Sequence, residues 1–318
     1  MQASSEAPDW TTTINKVRHI AIIMDGNQRW ARAQGLNGIE GHSAGARALK
    51  RTVRAAVEQD VEVLTVFAFS SENWRRPELE VQALMTLFMQ ALTEELDELF
   101  SAGVQLRFIG DLSAFNPSLR QAMAAACEKT QNNSRLIFNV AVNYGGRWDI
   151  VNACRSVVRN QLRQVLEDRD VLKTTQSFED NSASKSNSKV GNNTVRQNTN
   201  STVESQIESI CETIQEHSLD EAMALADLPA VDLCIRTSGE YRLSNFLLWQ
   251  LAYAELAFID TYWPDFNAAT MAQLIQEFQQ RQRRFGRTSE QISHLVNTEP
   301  SSDLISEVHW STKTTVME

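Results

Sequence analysis

The chain has 318 residues, 42% hydrophobic and 22% charged, enough apolar content for a sizeable core, so wholesale disorder is excluded. With 30 Lys and Arg against 40 Asp and Glu, the net charge is −10. That balance speaks against a sequence-independent nucleic-acid binder, which needs a basic footprint.

The first 16 residues are polar and lack the apolar core of a secretory signal. No stretch reaches ~18 uncharged apolar residues, so no bilayer span is predicted and a cytoplasmic location is expected. Residues 19–24, His-Ile-Ala-Ile-Ile-Met, are a short apolar run ending in Asp-Gly-Asn, read as a buried strand and a loop. A helix is predicted over 44–59 and a strand over 63–69. Residues 78–101 place Val81, Leu84, Met85, Phe88, Leu92, Leu96 and Leu99 at helical spacing, which predicts one amphipathic helix. Strands are predicted at 106–109, 136–143 and 231–236, with helices over 117–132 and 147–166. Cys127, Cys154, Cys211 and Cys234 form no C-x-x-C pair and no Cys/His cluster, which disfavours disulfides and structural zinc.

Between 174 and 206, 21 of 33 residues are Ser, Thr, Asn or Gln. Such a segment cannot offset its ordering entropy and reads as a flexible surface insertion. The part after Gly286 is similarly polar. The expectation is one α/β domain over 1–286, interrupted at 174–206, with a loose tail at 287–318. Short apolar strands alternating with amphipathic helices predict a mostly parallel sheet covered by helices on both faces. Ligands of such sheets bind at the carboxyl ends of strands, which directs attention to four loops.

The first loop is Asp25-Gly26-Asn27-Gln28-Arg29-Trp30, an acid at a strand end followed by glycine, a helix start and an arginine fork. Asp-Gly turns are also common as plain structure. His42 lies in a second small-residue loop, Gly41-His42-Ser43-Ala44-Gly45. The third loop gathers Ser70, Ser71, Glu72, Asn73, Trp74, Arg75 and Arg76 before Pro77. A capped helix start accounts for Ser70, Ser71 and Pro77 but leaves the arginines and Trp74 unexplained. The fourth runs from Arg236 through Thr237, Ser238, Gly239, Glu240, Tyr241, Arg242 and Leu243 to Ser244. Two arginines bracketing a loop suit a diphosphate. Glu255, within an apolar run at 251–258, is either a carboxylate that needs a cation or an exposed position on an amphipathic helix. Arg29, Arg76, Arg236 and Arg242 concentrate positive charge in an acidic chain, which points to a small polyanion, with Asp25 and Glu255 suggesting Mg²⁺ to bridge it. Neither a P-loop nor a dinucleotide fingerprint is present.

Six collinear stretches resemble the cis-prenyltransferase family: HIAIIMDGNQRWA, GHSAG, FAFSSENWRRP, NYGGRWDI, IRTSGEYRLSNFLLWQ and AYAEL. The resemblance spans roughly 19–286 apart from the insertion. It implies a Mg²⁺-dependent homodimer that elongates farnesyl diphosphate with isopentenyl diphosphate, forming Z double bonds. Bacterial members make undecaprenyl diphosphate, a lipid carrier precursor for peptidoglycan, delivered to the membrane by an enzyme that is cytoplasmic or peripheral at its inner face. By that likeness Asp25 ligates Mg²⁺ and helps the allylic diphosphate leave, while Gly26, Asn27, Gln28, Arg29, Trp30 and His42 hold it. Ser70, Ser71, Glu72, Asn73, Trp74 and Arg76 organise the substrates. Arg236, Arg242, Leu243 and Ser244 grip isopentenyl diphosphate, and Glu255 completes the metal site across the dimer. Residues 281–286 reach toward the partner's site, and helix 78–101 with strand 136–142 lines an apolar tunnel for the growing chain. Asn73, often cast as the proton acceptor, is a neutral carboxamide and a poor base. A relay or orienting role suits it better, with diphosphate itself as base.

Three positions depart from the pattern. Gln28 stands where a second glycine is usual, Gly38 where an arginine precedes Gly-His, and Tyr241 where histidine is frequent. Other readings are a different product length or a catalytically silent partner subunit. A generic Mg²⁺ phosphatase lacks the second aspartate after the first strand, where Asn27 stands.

Overall fold

The computed structural model describes residues 16–281 apart from 180–204, 206 and 209. Six strands form one sheet: β1 (His19–Ile23), β2 (Val63–Ser70), β3 (Val104–Ile109), β4 (Leu136–Tyr144), β5 (Leu233–Arg236) and β6 (Glu255–Phe258). Their order is β3-β4-β2-β1-β5-β6, and every pairing is parallel. All five residues of β1 are buried. Since successive side chains point to opposite faces, both faces of the central sheet are covered, which is why β1 reads as a continuous apolar run. The sheet lies within the compact unit Val17–Ile275. The chain passes from β1 to β2 on one side and returns to β5 on the other, so the order reverses between β1 and β5, the point where open α/β sheets bind ligands.

Ile20, Ile22, Leu64 and Leu136 are fully buried, each stabilising by about 1.5–3 kcal/mol relative to exposure. A polar ladder crosses this core. His19 Nδ1 donates to the Pro229 carbonyl at 2.8 Å, which leaves Nε2 to accept from the Thr65 hydroxyl at 2.8 Å. Asn139 Nδ2 then donates to Thr65 Oγ1 at 3.0 Å. Burial keeps His19 neutral and lowers its pKa to about 4.

Helix α1 (Asn27–Ala33) and α2 (Gly38–Glu58) follow β1. The predicted start at 44 is too late. Asn37 Oδ1 accepts from the Glu40 N–H and Glu40 Oε2 from the Asn37 N–H, a capping box that starts α2 at Gly38. The predicted helix 78–101 is two, α3 (Glu78–Glu94) and α4 (Leu96–Ser101), broken at Glu95. Lys50 Nζ pairs across the break with Glu95 at 2.5 Å and Glu98 at 2.7 Å. Helix α5 (Pro117–Thr130) starts on an Asn116 cap. Helix α6 (Gly146–Glu179) overruns its predicted end, so 174–179, expected as loop, are helical. Positions 180–204 and 206 of the expected insertion, 282–286 of the segment expected to reach the partner's site, and the tail at 287–318 lie outside the described residues. Helices α7 (Glu216–Ala222) and α8 (Ala268–Gln280) follow later in the chain.

The amphipathic-helix alternative for Glu255 is corrected: Glu255 opens β6, an edge strand, and its N–H donates to the Asp232 carbonyl at 2.9 Å. An apolar cavity of about 570 Å³ lies between α2, α3, α4 and the sheet, lined by residues that include Leu49, Val53, Phe88, Leu92, Leu96, Leu99, Phe138 and Val140.

Candidate active site

The carboxyl ends of β1 and β5 are tied by one threonine. The Asp25 N–H donates to Thr237 Oγ1 at 2.9 Å, and the Thr237 hydroxyl donates to the Asp25 carbonyl at 2.7 Å. This clamp holds the Asp25 carboxylate between two arginines, with Arg236 Nη2 at 2.9 Å from Oδ2 and Arg29 Nη2 at 3.1 Å from Oδ1. Partial burial opposes ionisation of Asp25. The Arg236 hydrogen bond and the charges of Arg29 and Arg236 outweigh it and hold the carboxyl below its ordinary range. Arg236 is only 4% exposed. Its Nη1 donates to Ser244 Oγ at 2.7 Å and to the Arg242 carbonyl, so the loop that follows folds back over the guanidinium. Removing Asp25 strands the buried Arg236 charge, at a cost of about 3–5 kcal/mol, whereas Asp25 without Arg236 would keep Arg29.

Arg29 also donates to the Ser238 carbonyl at 3.1 Å and to Glu240 Oε1 at 2.9 Å. Glu240 in turn accepts from Arg242, so it bridges two of the arginines singled out from the sequence. Four residues between 238 and 247 adopt positive φ without being glycine: Ser238, Ser244, Asn245 and Leu247. Strain of this kind, about 1–3 kcal/mol each, gathers where function needs it.

Gly26 sits at φ 106°, and a Cβ there would lie 2.9 Å from both Ser238 Cβ and Tyr262 Cδ1. Gly45 makes room for Asn27, since a Cβ on it would stand 2.4 Å from Asn27 Oδ1. Asn27 Nδ2 and His42 Nδ1 are 3.4 Å apart. Burial and the nearby Arg76 charge lower the His42 pKa against the opposing pull of Glu80. Asn27 Oδ1, His42 Nε2, Ser238 Oγ and Arg236 Nε are all buried without a hydrogen-bond partner. Native proteins rarely leave such groups unsatisfied. Two acceptors, a nitrogen and a guanidinium N–H at one strand junction mark a place built for a ligand.

Magnesium takes oxygen donors, one or two of them protein carboxylates and the rest phosphates and water. Asp25, whose two carboxylate oxygens face Arg236 and Arg29, supplies one such carboxylate. Among the described residues no group of three His, Cys, Asp or Glu could hold a metal alone.

The family model described as "Putative undecaprenyl diphosphate synthase" matches residues 23–286. The chain belongs to this family. Two relatives carry the name ditrans,polycis-undecaprenyl-diphosphate synthase ((2E,6E)-farnesyl-diphosphate specific). One, from Pseudomonas aeruginosa, is 44% identical over 275 residues, 86% of this chain and 92% of that protein. The other, from Xanthomonas axonopodis pv. citri, is 46% identical over 285 residues, 90% and 94% of the two chains. Among solved structures, lavandulyl diphosphate synthase from Lavandula x intermedia, in complex with dimethylallyl diphosphate, superposes with TM-score 0.67 at 28% identity, covering 85% of this chain and 98% of that one. A probable undecaprenyl diphosphate synthase from Campylobacter jejuni gives TM-score 0.58 at 28% identity, covering 86% and 100%.

The undecaprenyl diphosphate synthase fold also brings the third loop to this edge. After β2, Ser71–Arg75 form a 3₁₀ turn in which Asn73 Oδ1 accepts the Ser70 N–H at 3.0 Å. That oxygen is therefore occupied in capping the turn. Trp74 donates to Asn143 Oδ1 at 2.8 Å and packs edge-on against Phe69, with Phe115 also in contact. Trp30 donates to Asp265 Oδ1 at 2.8 Å. Asn245, which the sequence reading did not single out, donates to Glu72 Oε1 at 2.9 Å and accepts from the Arg147 N–H at 2.9 Å, joining loops three and four. Partial burial raises the Glu72 pKa, but the Asn245 hydrogen bond and other donors outweigh it and hold the carboxyl below its usual range. Thr237, Glu240 and Glu80 were likewise missed as organisers. Their only signal was position, within or just after an arginine-bearing strand-end loop.

Glu255 does not join Asp25 within one chain. β5–β6 register sets Glu255 beside Leu233, and Leu233 lies beside Ile20, at the opposite end of the sheet from Asp25. Five residues at ~3.3 Å put roughly 16 Å between them along the strands.

Proposed function

We propose that this protein condenses farnesyl diphosphate with successive isopentenyl diphosphate units to make undecaprenyl diphosphate. The observation that carries the reading is the Asp25–Arg29–Arg236 cluster, ringed by unsatisfied buried polar atoms, at the switch point of the sheet. Asp25, Gly26, Asn27, Arg29, Trp30 and His42 take the allylic diphosphate. Arg236, Arg242, Leu243 and Ser244 take isopentenyl diphosphate. Ser70, Ser71, Glu72, Asn73, Trp74 and Arg76 bring the two together.

Breaking the allylic C–O bond leaves negative charge on the departing diphosphate, and preorganised arginines stabilise that charge without reorganisation. Mg²⁺ held through Asp25 would add Lewis-acid neutralisation of the leaving group. Proton removal from the condensed intermediate falls to a diphosphate oxygen, because the neutral Asn73 carboxamide, which caps the turn through the Ser70 amide, is a poor base. The apolar cavity receives the lengthening hydrocarbon, which gains by leaving water.

A homodimer belongs to the same proposal. β6 is a sheet edge, and Tyr241, Tyr253 and Leu256 expose large apolar surface on and near it. A second copy there is the route by which Glu255 would approach a metal in the partner's site. No helix among the described residues is long and apolar enough to cross a membrane.

Incorporation of radiolabelled isopentenyl diphosphate into butanol-extractable product tests the reading. It should require farnesyl diphosphate and Mg²⁺ and stop on chelation; label that stays in the aqueous phase under all conditions would overturn it.

A further inference from the structure

Gln28 occupies a position whose geometry the roles above do not use. It lies exposed on the first turn of α1, and its side chain passes over Gly38, where a Cβ would be 3.7 Å from Gln28 Cγ. A Cβ at position 38 would thus only touch the Gln28 side chain at ordinary van der Waals distance. Gln28 Nε2 reaches Glu80, on the first turn of α3, and donates to Oε1 at 2.7 Å. The same carboxylate oxygen accepts from Arg76 Nη1 at 2.9 Å and stands 4.0 Å from His42 Nε2.

Arg76 and Glu80 alone are an i,i+4 pair at the start of a helix, partly open to solvent. Such pairs hold a side chain only weakly. A third partner from a different element changes that, because it fixes the carboxylate from the side of the diphosphate loop. Asn27, the neighbour of Gln28, contributes one of the buried unpartnered atoms, and His42, the neighbour of Glu80, contributes another. The contact therefore links the residue after Asn27 to the carboxylate beside His42.

The geometry points to Gln28 as a positioning residue that acts through Glu80 to hold Arg76 over the allylic diphosphate site. This rests on the proposed function for the identity of the ligand. Gln28 does not touch substrate in this assignment. Its amide fixes Glu80, Glu80 fixes the guanidinium, and the guanidinium meets a phosphate oxygen without having to be ordered first.

The test is a double-mutant cycle on the full chain with Gln28→Ala, Glu80→Ala and both together, alongside Gln28→Lys, whose ammonium keeps a donor within reach of the carboxylate. Loss of one hydrogen bond to a charged, partly exposed group corresponds to about a fivefold effect. Gln28→Ala should raise KM for farnesyl diphosphate by about that factor, with the loss in KM rather than kcat. In the Glu80→Ala background the same change should shift KM less than about twofold, and Gln28→Lys should restore the parent value. An equal rise in both backgrounds, or none in either, would overturn the assignment. Calorimetric binding of inorganic diphosphate to the parent and the same four variants gives the readout independently of turnover. If no variant or parent makes prenyl product yet diphosphate affinity follows the cycle, the proposed function fails and the positioning pair stands.

Discussion

Gly26→Ala puts the geometry of the diphosphate loop under direct stress. At φ 106° the backbone is in the region that L-residues avoid, which costs alanine about 1–2 kcal/mol. The new methyl would also meet Ser238 Cβ and Tyr262 Cδ1 at 2.9 Å, an overlap that forces a shift worth about 1–3 kcal/mol more. Neither neighbour yields cheaply. Ser238 is buried with its N–H bonded to the Thr261 carbonyl, and its own φ is positive. The total of roughly 2–5 kcal/mol predicts a melting temperature about 5–15 °C lower in calorimetry. Asp25 and Asn27 flank the displaced residue, so catalysis should suffer beyond the stability loss. A displacement near 1 Å costs about 100-fold in kcat/KM. The assay is steady-state turnover well below the melting transition, paired with the calorimetric scan. A Gly26→Ala variant that melts within about 2 °C of the parent and turns over normally would refute the claim that this loop is packed against Ser238 and Tyr262.

Three further outcomes are expected. Asp25→Asn should lower turnover by orders of magnitude while circular dichroism stays native; near-normal turnover would remove Asp25 from the leaving-group role. His19 is held neutral with a pKa of about 4 against 6.5 unfolded, so the unfolded chain takes up the proton first and stability declines as pH falls from 6.5 toward 4. The full shift corresponds to about 3 kcal/mol, and urea midpoints measured across that window should fall less steeply for His19→Gln. Phe88 packs edge-on to Phe108 in the wall of the apolar cavity, so Phe88→Ala should lengthen the product and Phe88→Trp shorten it on thin-layer chromatography. Unchanged lengths in both would show that the chain grows elsewhere.

The sheet was legible because parallel strands buried on both faces leave continuous apolar runs, as in β1, β2 and most of β4. β6 escaped because its run, at a sheet edge, contains Glu255 and fits a helix equally well. The start of α2 escaped because three glycines within eight residues mask a capping box whose strength lies in two side chains, Asn37 and Glu40. The break at Glu95 has no local sequence signature; apolar spacing runs straight through it. Arg29, Arg236 and Arg242 were legible as charge concentrated at strand ends. What the sequence could not display is how that charge is neutralised. Glu240 and Glu80 bridge groups from separate segments, and Thr237 clamps two strand ends 212 residues apart. Such partners emerge only when the sheet brings them together.

The central claim is that the Asp25–Arg236 junction and the apolar cavity together build a polyprenyl diphosphate. Its most direct test is mass spectrometry of the product made from farnesyl and isopentenyl diphosphates with Mg²⁺, with proton NMR of the new double bonds. A single dominant undecaprenyl diphosphate whose added units are all Z is the expected product. Recovery of unreacted farnesyl diphosphate, or of a product with newly formed E bonds, would contradict it.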